Sequence, residues 1–188
     1  SSATAGARGL ILQPTAGGLA QYRSFTDSGA TYRLVARYAA TENVNLYGSV
    51  STGRRPKVLS AGSPSVPNGS VNFREVPAEE VTSYEVGAKG ALFDKHLTLE
   101  GAVYHYDYSN FQTSIRNPSN PAQIISANAG EAKSTGFEGQ ATFQATSDAS
   151  VFATYGYSHA RFGSGLFVGN RFRLSPDQGK LLVHYSGP

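Results

Sequence analysis

From Thr31 onward, apolar and polar residues alternate at period two in one segment after another, and no comparable run repeats at the helical period. That pattern belongs to strands whose two faces meet different environments. Residues 32–40 set Tyr32, Leu34, Ala36 and Tyr38 against Arg33 and Arg37, and 44–52 set Val44, Leu46, Gly48 and Val50 against Asn45, Tyr47, Ser49 and Ser51. The pattern recurs in 82–92, 97–108, 134–145 and 150–161, and a seventh strand is expected near 179–186. The connections alternate as well. Short turns fall near 41–43, 93–95 and 146–148, while Gly/Pro/Ser/Asn-rich loops occupy 53–80, 109–132 and 162–177.

Short turns on one side and long loops on the other are rare in a compact soluble domain. They are the rule in outer-membrane barrels, whose strands run to ten residues or more. Composition points the same way. Only 15% of the residues are charged, against a usual share of about 25%, while Gly (21), Tyr (11) and Phe (10) are plentiful among the 188 residues. Hydrocarbon offers no hydrogen bonds, so a wall facing it must be apolar outside and pair its backbone strand to strand. The opposite row, Glu85, Lys89, Glu100, Glu138, Gln140 and Gln144, suits a wet or plug-filled lumen better than a packed core. The expected fold is therefore all-β, with antiparallel up-and-down strands forming part of a large transmembrane β-barrel over 32–188. Residues 1–31 are read as an irregular or loop region with a possible short strand.

Several chemistries drop out. Without cysteine there is no thiol nucleophile, disulfide framework or zinc ribbon. His96, His105, His159 and His184 are dispersed with no metal-ligand spacing, and no GxSxG, P-loop or dinucleotide fingerprint occurs. No catalytic residue, metal site or cofactor is expected, and the chain is not read as an enzyme. The net charge of +3 is spread thinly, its densest cluster being Arg54, Arg55 and Lys57, which argues against nucleic acid as a partner. The absence of methionine is read as a processed terminus or an internal piece of a longer protein.

Four segments, in this order, carry a resemblance. Residues 45–56 (NLYGSVSTGRRP) look like a strand ending in a Gly-x-Arg-x-Pro loop start, and 79–89 (EEVTSYEVGAK) like a Tyr-Glu-x-Gly-x-Lys strand whose proline is displaced to Pro77. Residues 97–112 (LTLEGAVYHYDYSNFQ) bring aromatics and Asp-Tyr to a loop, and 128–138 (NAGEAKSTGFE) resemble an Asn-x-Gly-x-Ala-x-x-x-Gly-x-Glu element. Together they resemble the β-barrel region of TonB-dependent outer-membrane receptors. The resemblance implies uptake of a scarce nutrient, such as a ferric siderophore or cobalamin, across the outer membrane of a Gram-negative bacterium. It also implies partners: outer-membrane lipid, the remaining barrel strands, a plug domain, TonB acting through an N-terminal region, and an extracellular small-molecule ligand. Neither plug nor TonB box is recognisable here, and seven strands are about a third of a 22-stranded barrel, so a fragment is expected. The competing class is a soluble or surface β-domain that binds a partner through its long loops.

Candidate ligand contacts lie at the loop ends of the strands. Tyr104, Tyr106, Tyr108 and Phe111 climb toward a loop, where tyrosine also serves as an interface girdle. Arg54, Arg55, Lys57, Arg116, Arg171 and Arg173 lie in or beside the long loops, where they would attract an anionic ferric complex or contact anionic surface lipid and solvent. Two expectations concern the fold itself. Residues 81–108 should form a hairpin turning at 93–95, and Glu85, Lys89, Glu138 and Gln140 should share one face, with Val86, Ala88, Phe137 and Ala141 on the other.

Overall fold

The computed structural model describes residues 7–14, 20–62, 72–118, 120–171 and 177–185. Its main feature is a seven-stranded antiparallel sheet. The strands are β3 (Arg33–Ala39), β4 (Val44–Arg55), β7 (Glu79–Leu92), β8 (Leu97–Ser109), β11 (Ala132–Gln144), β12 (Ala149–Phe162) and β13 (Asp177–Tyr185). Their spatial order is their chain order, an up-and-down meander. Six further strands form three two-stranded hairpins outside this wall: β1 (Ala7–Pro14) with β2 (Ala20–Asp27), β5 (Val58–Gly62) with β6 (Asn72–Val76), and β9 (Gln112–Asn117) with β10 (Asn120–Asn128).

All seven expected strands are present, but two long loops hold more order than their composition suggests. The 53–80 connection carries β5 and β6, and 109–132 carries β9 and β10. Gly, Pro, Ser and Asn at the hairpin tips dilute a period-two signal that five- and six-residue strands barely register. Within 1–31, read from the sequence as an irregular or loop region with a possible short strand, the described residues include two eight-residue strands.

The expected hairpin is observed. β7 and β8 pair from Glu80↔Ser109 down to Leu92↔Leu97. Phe93, Asp94 and Lys95 turn the chain with φ of 52°, 52° and 71°, left-handed backbone conformations of the kind that suit a tight turn to the right-handed twist of the flanking strands, and the His96 amide closes the turn on the Phe93 carbonyl at 2.9 Å.

Residues directly opposite in an antiparallel ladder share a face, so the register assigns the two sides. One side joins Ser49, Glu85 and Tyr104, then Asn45, Lys89, Glu100 and Gln140, and also Ala102 with Glu138. The other joins Gly48, Val86, Val103 and Phe137, and Leu99 with Ala141. The predicted division of faces is therefore observed. On the apolar side Leu34, Val86, Val103, Leu181 and Val183 are all exposed, a continuous apolar surface of the kind that water-soluble monomers rarely present. On the polar side Glu100 accepts from Gln140 at 2.8 Å and pairs with Lys89 at 3.3 Å. Gly87 and Gly136 on this side make room for rings: a Cβ at either would strike Tyr47 or Tyr104 respectively.

A wall exposed on both sides has little core of its own. The buried apolar side chains Leu59, Val76, Ala127 and Ala129 gather instead where the hairpins meet the loop end of the sheet, and β5 packs against both β1 and β10.

Candidate functional site

The loop end is assembled by two buried polar side chains, Asp27 and Gln112, and their partners Arg54, Pro56 and Glu79 lie in segments that carry the resemblance. Asp27, at the end of β2, accepts from Arg54 Nη2 at 2.6 Å and from the Lys57 amide at 3.1 Å. Asp27 is buried at 6% exposure and Arg54 is half-buried at 12%, and Arg54 Nε also approaches Glu80 at 3.6 Å. Gln112, the first residue of β9, donates its side-chain amide to the Pro56 and Pro77 carbonyls at 2.9 and 2.8 Å, while its backbone N–H meets Glu79 Oε2 at 2.6 Å. The two prolines end or interrupt strands and leave carbonyls without ladder partners, and Gln112 satisfies both. These two junctions tie β2, β4, β6, β7 and β9 to one another.

A third junction uses the Asn-x-Gly element. Asn128 Oδ1 accepts the Gly130 amide at 2.7 Å, an Asx turn, and the Phe111 amide closes on the Gly130 carbonyl at 2.7 Å. Gly130, at φ +94°, lies so close to Ser164 and Gly165 that no side chain fits. The Gly163 amide reaches the Glu131 carbonyl at 2.9 Å, and the Glu131 amide reaches Ser164 Oγ at 3.0 Å. The β12–β13 connection, which includes the short 3-10 turn Gly165–Phe167, is thereby held against the base of β9 and β10.

Above these junctions runs a chain of aromatic rings. Tyr104 stacks on Tyr106 at 4.9 Å between centroids, and Tyr106 meets Tyr108 edge-on at 6.4 Å. Tyr108 then touches Phe111, Phe111 touches Phe162, and Phe162 touches Phe167, each at 5.5 Å. Register sets Tyr104, Tyr106, Tyr108 and Phe162 on the polar face. The ladder climbs that face and ends in a pocket of about 750 Å³ bordered by Phe111, Thr113, Ser114, Phe162, Phe167, Asn170 and Arg171. Phe162 and Phe167 were not among the sequence candidates, because they lie some fifty residues from the tyrosines and only the β8–β11–β12 register brings them together.

The cationic candidates disperse. Arg54 is committed to Asp27. Lys57 lies 3.9 Å from Glu75, and Arg55 is exposed at the end of β4. Arg116 donates to the Pro121 carbonyl at 2.9 Å within its own hairpin. Arg171 pairs opposite Arg161, and Arg173 lies outside the described residues. The structure thus joins Tyr106 and Tyr108 to an aromatic pocket bordered by Arg171 and does not gather the other cations there. Among the described residues no cluster of His, Asp and Glu suits a metal ion.

Hydrogen bonding from Arg54 holds the Asp27 carboxyl below its usual range, against the opposing effect of burial. A depressed pKa contributes stability that is complete above the unfolded-state value and is lost as pH falls through the folded one. Protection of the Lys57 amide, whose N–H sits on this carboxylate, taken relative to its intrinsic exchange rate at each pH, should therefore hold constant from neutral pH to the ordinary carboxylate range and fall only below it. A loss of protection already at pH 6 would contradict this assignment.

A family model described as TonB dependent receptor-like, beta-barrel matches residues 3–188. A probable TonB-dependent siderophore receptor of Acinetobacter baumannii is 30% identical over 128 residues, covering 68% of this chain and 16% of that protein. A metal-pseudopaline receptor of Pseudomonas aeruginosa is 31% identical over 137 residues, covering 72% of this chain and 17% of that protein. The chain therefore spans about a sixth of the length of the curated relatives it matches. The ferric yersiniabactin uptake receptor of Yersinia pestis superposes with a TM-score of 0.68 at 21% identity, over 87% of this chain and 24% of that structure. The siderophore receptor crystal structure from Acinetobacter baumannii superposes at 0.64, with 20% identity over 91% and 26%.

Proposed function

Because the chain belongs to the TonB-dependent receptor-like β-barrel family, we propose that it forms one sector of the barrel wall of a nutrient-uptake receptor whose ligand is a small metal chelate. The family's barrels lie in the Gram-negative outer membrane, and it is a family of transport receptors, not of enzymes. On this reading the apolar face meets lipid and the polar face meets the lumen, where the plug domain and the entering ligand are the partners. TonB supplies energy through a separate N-terminal region. The alternative of a soluble loop-binding β-domain is not favoured, since it leaves Val86, Val103 and Leu181 facing water.

The observation that carries the ligand assignment is the aromatic ladder running up the lumen face into the rim pocket. Siderophore and metal receptors are the relatives by sequence, and catecholate and phenolate chelates offer flat π-faces and anionic oxygens. Rings supply contact area at low entropic cost, and the exposed Arg55 and Arg171 add positive potential at the rim.

The test uses the complete receptor and a panel of ferric catecholate, hydroxamate and phenolate siderophores, first screened for support of growth under iron limitation. Tyr108→Ala and Phe162→Ala should each weaken binding of the active chelate roughly five- to tenfold, as loss of about 1 kcal/mol of ring contact implies. Phe137→Ala, on the lipid side of the intervening strand β11, should leave it unchanged. Equal binding by all three variants, with intact circular dichroism, would reject the ladder as the ligand path.

A further inference from the structure

At the top of β8 the chain leaves the barrel wall through a sharp turn. β8 ends at Ser109, Asn110 takes a φ of 54°, a left-handed conformation that asparagine adopts more readily than most residues, and β9 begins at Gln112. β9 and β10 then form a sheet of their own. The base of this hairpin is closed by the Phe111 amide on the Gly130 carbonyl at 2.7 Å, the Ala129 amide on the Phe111 carbonyl at 2.8 Å, and the Asn128 side-chain amide on Asn110 Oδ1 at 3.0 Å. These bonds hold the hairpin to itself; they do not set how it stands on the wall.

Two sets of contacts fix that stance. On one side Glu131 holds the hairpin base to Gly163 and Ser164 of the β12–β13 connection. On the other, Gln112 reaches the wall. Its side-chain amide uses both hydrogens, one on the Pro56 carbonyl and one on the Pro77 carbonyl, and these two prolines bracket the connection that carries β5 and β6. Its backbone N–H meets Glu79, the first residue of β7. β10 also packs against β5 and β6, so the clasp joins two hairpins that already touch.

Successive side chains of a strand point to opposite sides. Phe111 and Thr113 border the rim pocket, and Gln112, between them, faces away from it and is buried. Phe111 is also the ring that passes the ladder from Tyr108 to Phe162. A swing of the hairpin about Asn110 would therefore move the middle of the ladder and one wall of the pocket together. The bonds made by Gln112 oppose that swing.

We propose that Gln112 is a positioning residue for the ligand: without touching it, the clasp on Pro56 and Pro77 holds Phe111 and Thr113 at the angle the bound chelate needs. A chelate entering a pre-set pocket does not have to order the hairpin, and contacts made without that ordering cost bind more tightly. The same clasp makes the position of the β5–β6 hairpin felt at Phe111. The proposal rests on the ladder and rim pocket being the ligand path.

The test is a double-mutant cycle of Q112M and F111A in the complete receptor, with binding measured for the ferric catecholate, hydroxamate or phenolate complex that supports growth. Methionine keeps the length and bulk of the side chain, removes both donors and leaves the backbone N–H in place. Q112M should weaken binding about five- to tenfold. It should cause little further loss when F111A is already present, since no ring is left to position, whereas a purely structural residue would lose the same factor in both backgrounds. In the ligand-free receptor the amide of residue 112 should exchange about tenfold faster in Q112M, because it leaves Glu79 when the hairpin swings. The Phe111 amide, closed within the hairpin base, and the centre of β7 should not change. Wild-type binding by Q112M, an equal loss in both backgrounds, or unchanged exchange at residue 112 would each overturn the positioning role while a loss in F111A still upholds the ligand path. If F111A itself bound like wild type, the ligand path would fail and the positioning role with it.

Discussion

Replacing Arg54 with methionine in the complete receptor is expected to open the loop end of the wall while leaving its strands paired. Asp27 would keep a buried carboxylate with only the Lys57 amide to meet it, and removing one partner of a buried ion pair costs about 3–5 kcal/mol. The β2, β4 and β5 junction has few other polar ties, so the loss should appear as local opening rather than global unfolding. Amide exchange at Lys57 should accelerate by about two to four orders of magnitude, with the centre of β7 unaffected. The double variant R54M/D27L should be milder than R54M alone, because an apolar pair leaves no stranded charge. If R54M left exchange at Lys57 unchanged, the pair would be a surface contact of no consequence. If the double variant were additive, the two residues would not be coupled. The same reasoning explains why Arg54, read from the sequence as a free rim cation, is better understood as a structural residue.

That reversal shows where sequence reading stops. Strand positions, the short turns and the two faces were legible from 31 onward because a barrel wall imposes one rule, period two, on every spanning strand, and nothing tertiary overrides it. Phe137, Gly139, Ala141 and Phe143 against Glu138, Gln140 and Thr142 needed no partner to be read. Hairpin strands such as β5 and β6 obey no such rule, since they are short and have no hydrocarbon on either side. The site was half legible. Tyr106 and Tyr108 share a strand and announce themselves, whereas Phe162 and Phe167 join them only through register across β11. The pairing of Arg54 with Asp27 spans 27 residues, and Gln112 reaches Pro56 across 56. No local spacing encodes either contact. Lys133, Arg161 and Arg171 are the converse case: they look scattered along the chain and become cross-strand neighbours only when the strands are laid side by side.

The division of faces makes the sharper demand. Val103 is the middle residue of β8 and 59% exposed on the apolar side; strands of 13 or 14 residues, at about 3.3 Å per residue and tilted by roughly 45°, just cross a hydrocarbon layer of about 30 Å. Its place is thus near the midplane. Val103→Arg should cost about 2–4 kcal/mol, the depth-dependent penalty for a cation at that level of a barrel wall, and should lower the yield of folded receptor in the outer membrane. Gln140→Arg puts the same charge on the other face of the neighbouring strand, beside Glu100, and should be nearly neutral, because that side is wet and already holds a carboxylate. Ser109→Arg, on the apolar parity but at the loop end of β8, should fall between zero and about 1 kcal/mol as depth decreases. Reversible denaturant unfolding in a lipid host measures all three. A midplane penalty equal to the loop-end one would mean that this face is bathed in water, and the membrane assignment of the sheet would fail with it; a large penalty at Gln140 would mean that the lumen side is packed dry against protein.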